Sequence, residues 1–370
     1  MMRILIVCPY PHGKAASQRF RFEQYLTNFS DWGIEFDQES FWADRHWPAI
    51  YDNKSLLYKV FATIRGFWAR FLLLFRLNRY QVVLIHREAT PIGHPWWEWA
   101  AAKIWKKAIV FDFDDAIWLA NSSEANGALV HKWKAHSKTA KIWSWSKMCI
   151  AGNSFLAENA RKYCANIIVI PTTIDTEDHH KPTTARIRPL DLPVIGWTGS
   201  HSTIRQLVPL LPILERLFIT HPFSLLIIAD KPPDYLPAFA EFLAWRKASE
   251  ISDLSRIDIG LMPLYDTDWE RGKCGFKALQ YLALQIPAVV SGVGVNEEIV
   301  RHGVEGFVAE PMPAGDGDQW IAGLKILLED NDLRLRMGKS GRSRVKADYS
   351  VLAFRERYKQ VLFTSAEGSR

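Results

Sequence analysis

The sequence predicts an α/β chain of two doubly wound units with parallel sheets, facing one another across a cleft. Three observations lead there. Short apolar runs recur along the chain, most of them 4–7 residues and rich in Ile and Val. They lack the polar alternation of a half-exposed sheet, so they read as parallel strands buried on both faces. Helical patterns separate them, which is the rhythm of βαβ units. The rhythm also restarts: residues 171–193 hold four prolines and little periodicity, and a fresh strand-turn-helix pattern, VIGWTGSHSTIRQL, follows.

In chain order the runs predict strands at Arg3–Cys8, Val82–His86, Ile109–Phe113, Met148–Ala151, Ile167–Ile170, Val194–Trp197, Ser224–Ala229, Ile257–Met262 and Ala288–Ser291. The 3.6-residue pattern predicts helices at Arg19–Phe29, Leu56–Leu77, Trp97–Lys107, Ser154–Tyr163, Thr203–Leu217, Pro237–Lys247, Phe276–Leu284, Asp318–Glu329 and Leu333–Ala347. The expected division is 1–175 for the first unit, 176–193 for a linker, 194–348 for the second unit and 349–370 for a closing helix. His179 and His180 fall in that linker and are expected to be solvated.

The chain has 370 residues, enough for two such units at roughly 150 residues each. Apolar residues make up 48 % and charged residues 23 %, which excludes a disordered chain and a disulfide-stapled miniature. The aromatic content is high, and 12 of the 16 Trp fall in residues 1–180. That half carries 22 basic and 17 acidic residues, against 24 and 23 in the other, so the +6 charge belongs mostly to it. Four scattered cysteines without a CxxC pair point to reduced thiols and a cytoplasmic chain. The apolar N-terminal run is too short for a signal sequence, and no stretch approaches the ~20 apolar residues of a membrane span. No nucleic-acid-binding module is visible, and nucleic acid is not expected as a partner.

Two glycine-bearing turns suit a phosphate. The first, Gly196-Trp197-Thr198-Gly199-Ser200-His201-Ser202-Thr203, leaves a strand and enters a helix, whose free N–H groups and dipole favour an anion. The second lies in ERGKCGFKALQYLALQIPAVVSGVGVNEE, residues 270–298. Gly272, Lys273 and Gly275 precede one helix, with Lys277 inside it, and Gly292–Glu298 opens another. Two successive helix N-termini aimed at one crevice, with cations beside them, suit a diphosphate. The bland reading of both is an ordinary βαβ turn with surface lysines.

This second stretch resembles the donor-binding signature of the retaining glycosyltransferases of family four. Their pattern is a Glu, seven residues and a second Glu on a helix, then a Gly–Pro–Val–Val strand and a Gly–Gly–x–x–Glu turn. Pro287–Val290 and Gly292–Glu298 match its second part. Gln280 stands where the second Glu falls and Gly272 where the first does, with Glu270 close by. Trp197 and Thr203 stand where the family has Arg and Lys. Ile4–Gly13, Cys149–Ser154, Ile168–Asp175 and the segment from Tyr349 onward resemble further parts of the family's chain in the same order.

The resemblance implies the GT-B fold, with Rossmann-like units and a C-terminal helix crossing back to the first. It implies sugar transfer from a nucleotide diphosphate sugar, with retention, to a hydroxyl of a lipid-linked or cell-envelope saccharide. Cleft closure would exclude water. No cofactor and no divalent metal are expected beyond the nucleotide-sugar co-substrate. The implied donor site is Gly199, Ser200, Arg271, Lys273, Gly275, Phe276, Lys277, Gln280, Asn296, Glu297 and Glu298. The implied acceptor side takes His12, Gly13, Arg19, Arg21, Arg87 and Glu88, the arginines gripping a phosphate on the acceptor.

Phe111-Asp112-Phe113-Asp114-Asp115 puts three carboxylates at a strand's end, where α/β proteins bind ligands. By position in the family Asp114 falls nearest the reaction, with Asp115 beside it. Two other readings stay open: an Asp-dependent phosphatase using Asp112 and Asp114 with magnesium, and a GT-B membrane-binding protein with degraded catalysis, suggested by Gly272. A surface salt-bridge network is the bland alternative for the arginines.

Lys54–Tyr80 has six basic residues and no acid, with aromatics along another side. Such a helix suits an anionic membrane surface, the inner face of the plasma membrane for a cytoplasmic chain. Arg65, Trp68, Arg70 and Arg76 are the expected contacts. His131–Lys147, with five lysines and three Trp, is a second such stretch. The competing reading for the first is a core helix with snorkelling ends.

Overall fold

The computed structural model describes residues 1–47, 56–119, 137–182 and 192–367. Lys54, residues 131–136 with Trp133, and residues 183–191 of the 176–193 segment lie outside them. The chain forms two compact units: Met1–Thr172 with Phe354–Arg370, and Thr173–Ala353.

Unit 1 holds one parallel sheet in the order β2-β1-β3-β4-β5-β6. Its strands are β1 (Met2–Cys8), β2 (Ile34–Ser40), β3 (Val82–His86), β4 (Ala108–Phe113), β5 (Met148–Ala151) and β6 (Ile167–Val169). β3 and β4 are buried along their whole length, as their unbroken apolar runs require. The order reverses between β1 and β3, a crevice where open α/β sheets bind ligands. The helix Val351–Ala366 contributes Tyr358, which stacks on Tyr25 at 4.3 Å between ring centroids.

Unit 2 repeats the plan in the order β12-β11-β10-β7-β8-β9. Here the strands are β7 (Val194–Thr198), β8 (Ser224–Ala229), β9 (Ala240–Ala244), β10 (Ile259–Met262), β11 (Ala288–Ser291) and β12 (Gly306–Ala309). One face packs under Leu211–Thr220 and Asp318–Glu329, where Leu214, Leu217, Trp320 and Leu324 are buried.

Three elements depart from expectation at sheet edges. β2 carries too few apolar residues to announce itself, since an edge strand needs only part of its length covered, and β12, a run of only four residues, was not expected as a strand. Pro237–Lys247, read as a helix, instead holds β9, paired in parallel with β8. Phe239 stacks on Phe218 at 4.3 Å and Phe242 joins the same core, so tertiary packing overrides local propensity. Arg19–Phe29 is likewise no single helix. It divides into Ala16–Arg19 and a 3-10 turn at Glu23–Asn28, because Arg21 and Phe22 between them turn inward.

The four cysteines are free and buried. No helix among the described residues is long and apolar enough to cross a membrane.

Candidate active site

In unit 1 the strand ends carry charge in pairs. His86 ends β3 and Asp112 lies opposite it in register on β4. Both are fully buried, a position ionic groups hold only when partnered. His86 Nδ1 lies 2.7 Å from Asp112 Oδ2, and the Arg21 guanidinium donates to Oδ1 at 2.5 Å through Nη2. Arg21 also donates to the Ile170 carbonyl at 2.5 Å. Burial pushes the Asp112 carboxyl up, but Arg21 and His86 outweigh it and hold it below the usual range. His86 Nε2 is buried with no hydrogen-bond partner among the described residues.

These contacts correct two expectations. Arg21 is committed inside unit 1 and does not face an acceptor phosphate. Asp112 has both oxygens engaged and no exposure, so the phosphatase reading loses its nucleophile.

Arg87 follows β3 with φ +61, the left-handed region that costs a side-chain-bearing residue strain. Its backbone N–H is tied to Asp112 O at 2.8 Å. That bend aims the guanidinium along the end of β4. Nε donates to Asp114 at 2.8 Å and Nη2 to Asp115. Burial pushes the Asp114 carboxyl up, but the Arg87 charge outweighs it and holds it at about 2. A carboxylate so acidic is a poor base at neutral pH and a strong fixed negative charge.

The other acceptor-side residues are spread over this end of unit 1. Gly13 donates its N–H to Glu23 at 2.9 Å, and exposed His12 meets Gln38 at 3.0 Å. Half-buried Arg19 lies over the Phe20 ring at 4.9 Å. Glu88 is paired with buried Lys138 at 2.7 Å, which removes that lysine from any exposed basic face.

In unit 2 the two glycine turns meet. Gly275, at φ +66, opens the helix Phe276–Ala283, and a Cβ on it would lie 2.1 Å from Ile299. Gly294, at φ +56, lies so close to Arg271 that a Cβ would stand 3.0 Å from its carbonyl oxygen. Only glycine meets both demands, the left-handed backbone and the close approach. Residues 271–276 and 292–299 are therefore neighbours, as the diphosphate reading requires.

Half-buried Lys273 and Lys277 belong to this place, their ammonium groups each 5.6 Å from a ring centroid, of Trp269 and Trp197 respectively. Phe276 at the helix start is half-buried too. Gly199 and Ser200 form a turn closed by the Ser200 N–H donating to Thr203 Oγ1 at 2.9 Å. A 3-10 turn at Ile204–Gln206 follows, where a longer helix was expected.

Several donor residues sit otherwise than expected. Gln280 is 2 % exposed, with its amide nitrogen 3.4 Å from both His180 and Glu250. An amide so enclosed is not presented to a ribose, and His180 is fully buried, not solvated. Asn296 turns inward and donates to Ser291 O at 3.1 Å. Arg271 is exposed and paired with Asp266 at 2.7 Å, so its charge is already balanced. Glu297 and Glu298 are exposed, Glu297 lying against Gly292. Glu270 is buried beside Thr267 and Gln206.

The expected membrane residues divide. Arg65 and Trp68 are exposed on the helix Leu56–Leu74. Arg70 is 1 % exposed and donates to the carbonyls of Ala89, Cys8 and Glu39, so it is a buried brace. Arg76 is half-buried and paired with Glu39 at 3.0 Å.

The sequence offered a surface salt-bridge network as the bland reading of the unit 1 arginines, and the structure shows the pairs, with Arg21 and Asp112 buried; the Gln280–His180–Glu250 cluster went unread. Among the described residues no three His, Cys, Asp or Glu side chains are arranged to hold a metal ion.

Residues 240–344, within unit 2, match the family model described as glycosyl transferases group 1. No curated protein matches the chain at a significant level. Solved structures do. Sucrose-phosphate synthase from Thermosynechococcus elongatus matches with a TM-score of 0.73 at 14 % identity, over 98 % of this chain and 99 % of that one. A glycosyltransferase from Rickettsia africae matches at 0.69 and 14 % identity, over 99 % of each. HepE of Anabaena, in complex with UDP and glucose, matches at 0.68 and 13 %, over 98 % of this chain and 100 % of that one. The fold is GT-B, with two Rossmann-like α/β units of six parallel strands each.

Proposed function

We propose that the chain is a nucleotide-sugar-dependent glycosyltransferase of group 1, resembling family four. It moves a hexose, with retention, to a hydroxyl of a lipid-linked or cell-envelope saccharide. It works in the cytoplasm, at the inner face of the plasma membrane. The observation that carries the reading is the contact between the turns at 271–276 and 292–299, with Lys273 and Lys277 beside them, inside the segment that matches group 1. A structural neighbour described with UDP and glucose supports a nucleotide diphosphate as the donor's leaving group.

In this reading unit 2 holds the donor. Lys273 and Lys277 neutralise the diphosphate, the N–H groups at the start of Phe276–Ala283 add the helix dipole, and no divalent ion is needed. Unit 1 serves the acceptor. Asp114, oriented by Arg87, accepts a hydrogen bond from the acceptor hydroxyl and stabilises positive charge at the anomeric carbon. The bond from that carbon to the diphosphate oxygen breaks, the acceptor oxygen forms the new bond, and its proton passes to the departing diphosphate.

The test is Asp114→Asn. Transfer should fall at least about 100-fold, the size typical of a lost electrostatic stabiliser, with donor affinity unchanged by calorimetry. Equal loss of both would move Asp114 to the donor site. A thermal-shift screen of UDP, GDP, TDP and ADP identifies the base, since the bound diphosphate should stabilise the chain by a few kcal/mol. Gly272, which has no side chain to hold the donor sugar, favours a second reading, a membrane-binding protein without turnover. Donor binding with no transfer to any acceptor would establish it.

A further inference from the structure

The helix Leu56–Leu74 packs on unit 1 through Ala62, Gly66, Arg70, Leu73 and Leu74. Its other side is apolar and uncovered. Leu57, Phe61, Ile64, Trp68, Phe71 and, just past the helix, Phe75 are between 42 % and 80 % exposed. At about 100° per residue they form one continuous stripe. Trp99 and Ile104, on the segment that follows β3, add 46 % and 54 % exposed apolar surface. Exposed apolar residues scattered singly need no explanation, but a contiguous stripe marks a contact surface.

The surroundings of the stripe select its partner. Arg65 falls along one edge of it, Arg79 is exposed in the turn past the helix, and Lys103 and Lys106 are exposed on the neighbouring segment. No Asp or Glu occurs between residues 53 and 87. A second copy meeting this face by two-fold symmetry would oppose cation to cation, with no acid to pair them. A phospholipid surface with anionic headgroups satisfies both features, since it takes the aromatic face into the acyl boundary and pairs the edge with phosphate.

We infer that unit 1 docks on an anionic bilayer by inserting the Phe61–Ile64–Trp68 face, with Arg65 at headgroup level. Arg70 and Arg76 play no direct part, since one is buried and the other already paired. The inference deepens the proposed function, on whose lipid-borne acceptor its purpose rests. It differs from the sequence-level picture in what holds the chain: apolar insertion dominates, and charge adjusts it.

The test is co-sedimentation of the full chain with phosphatidylcholine vesicles, with and without phosphatidylglycerol. Combined Phe61→Ser, Ile64→Ser and Trp68→Ser should lower partitioning into the anionic vesicles by well over tenfold, since each inserted side chain alone contributes about that factor or more. Because these side chains are exposed, the melting temperature and nucleotide affinity should hold. Arg65→Gln should cost only a few-fold, and high salt should remove that difference. Undiminished binding of the triple variant overturns the inference, as does failure of the parent chain to bind either vesicle. A parent dimer that the triple variant dissolves would assign the face to a second copy and also overturn it. Nucleotide affinity on the same proteins reads the proposed function separately, so vesicle binding without nucleotide binding would sink that reading alone.

Discussion

At the carboxyl end of the unit 1 sheet the charged side chains are paired with one another. Arg21 and His86 hold Asp112, Arg87 spans Asp114 and Asp115, and Lys138 meets Glu88. The corresponding end of unit 2 is built from glycine turns, hydroxyls and two lysines lying over indole rings. One sheet plan thus supports two kinds of site. Paired charges give fixed, oriented carboxylates that need no ligand to hold them. Glycine turns give close backbone approach, with positive charge beside it for an anionic ligand. The first suits a hydroxyl and a developing positive charge, and the second suits a diphosphate.

The largest effect should come from breaking the buried pair. Arg21→Met removes the permanent cation from the buried Asp112 carboxylate and leaves it to His86, and breaking a buried pair costs about 3–5 kcal/mol. Urea unfolding should show that loss while nucleotide affinity stays within twofold. A parallel collapse of nucleotide binding would mean that the units are not the separate devices contrasted above. Next in size is Gly275→Ala, which forces a Cβ into a left-handed backbone against Ile299 and should cost roughly 1–3 kcal/mol. Here nucleotide affinity should fall together with stability, the opposite signature to Arg21→Met.

Lys273→Ala and Lys277→Ala should each weaken nucleotide diphosphate binding by about tenfold, or about 1.4 kcal/mol, without shifting the melting temperature. Unchanged affinity in calorimetry would remove the phosphate role. Another effect concerns acid. Asp114 is held at about 2, below its unfolded value near 4. The stability it contributes is therefore present above pH ~4 and lost as pH falls toward 2. Arg87→Met should shrink that loss in stability measured between pH 4 and 2. An identical profile in parent and variant would show that Arg87 does not set the acidity.

Much of the fold was legible because parallel strands buried on both faces must be continuous apolar runs, and the inner strands of both sheets fell where those runs lie. Three of the four edges were not legible. β2 reads as IEFDQES, whose polar residues are tolerated only because one flank faces water, and β9 reads as a helix until Phe239 and Phe242 are given their core. At the site, the glycine turns of unit 2 announced themselves, since only glycine adopts that backbone at no steric cost. Gln280, inside the helix Phe276–Ala283, and Asn296, in the turn at 292–299, were legible in place but not in direction, because which way a polar side chain points depends on what surrounds it. Gln280 points into a pocket closed by His180 and Glu250, which lie 100 and 30 residues away along the chain.

The amino-acid order alone therefore determined the two-unit α/β plan, the glycine turns and the uneven distribution of charge and tryptophan. These follow from local rules: strand burial, left-handed backbone and simple counting. Tertiary structure alone decided which charges are available. Arg65, Arg70 and Arg76 look alike in sequence, yet one is exposed, one braces three carbonyls and one is half-buried and paired with Glu39. A charge is defined by its partners, and in a parallel sheet the partners come from strands far apart in the chain.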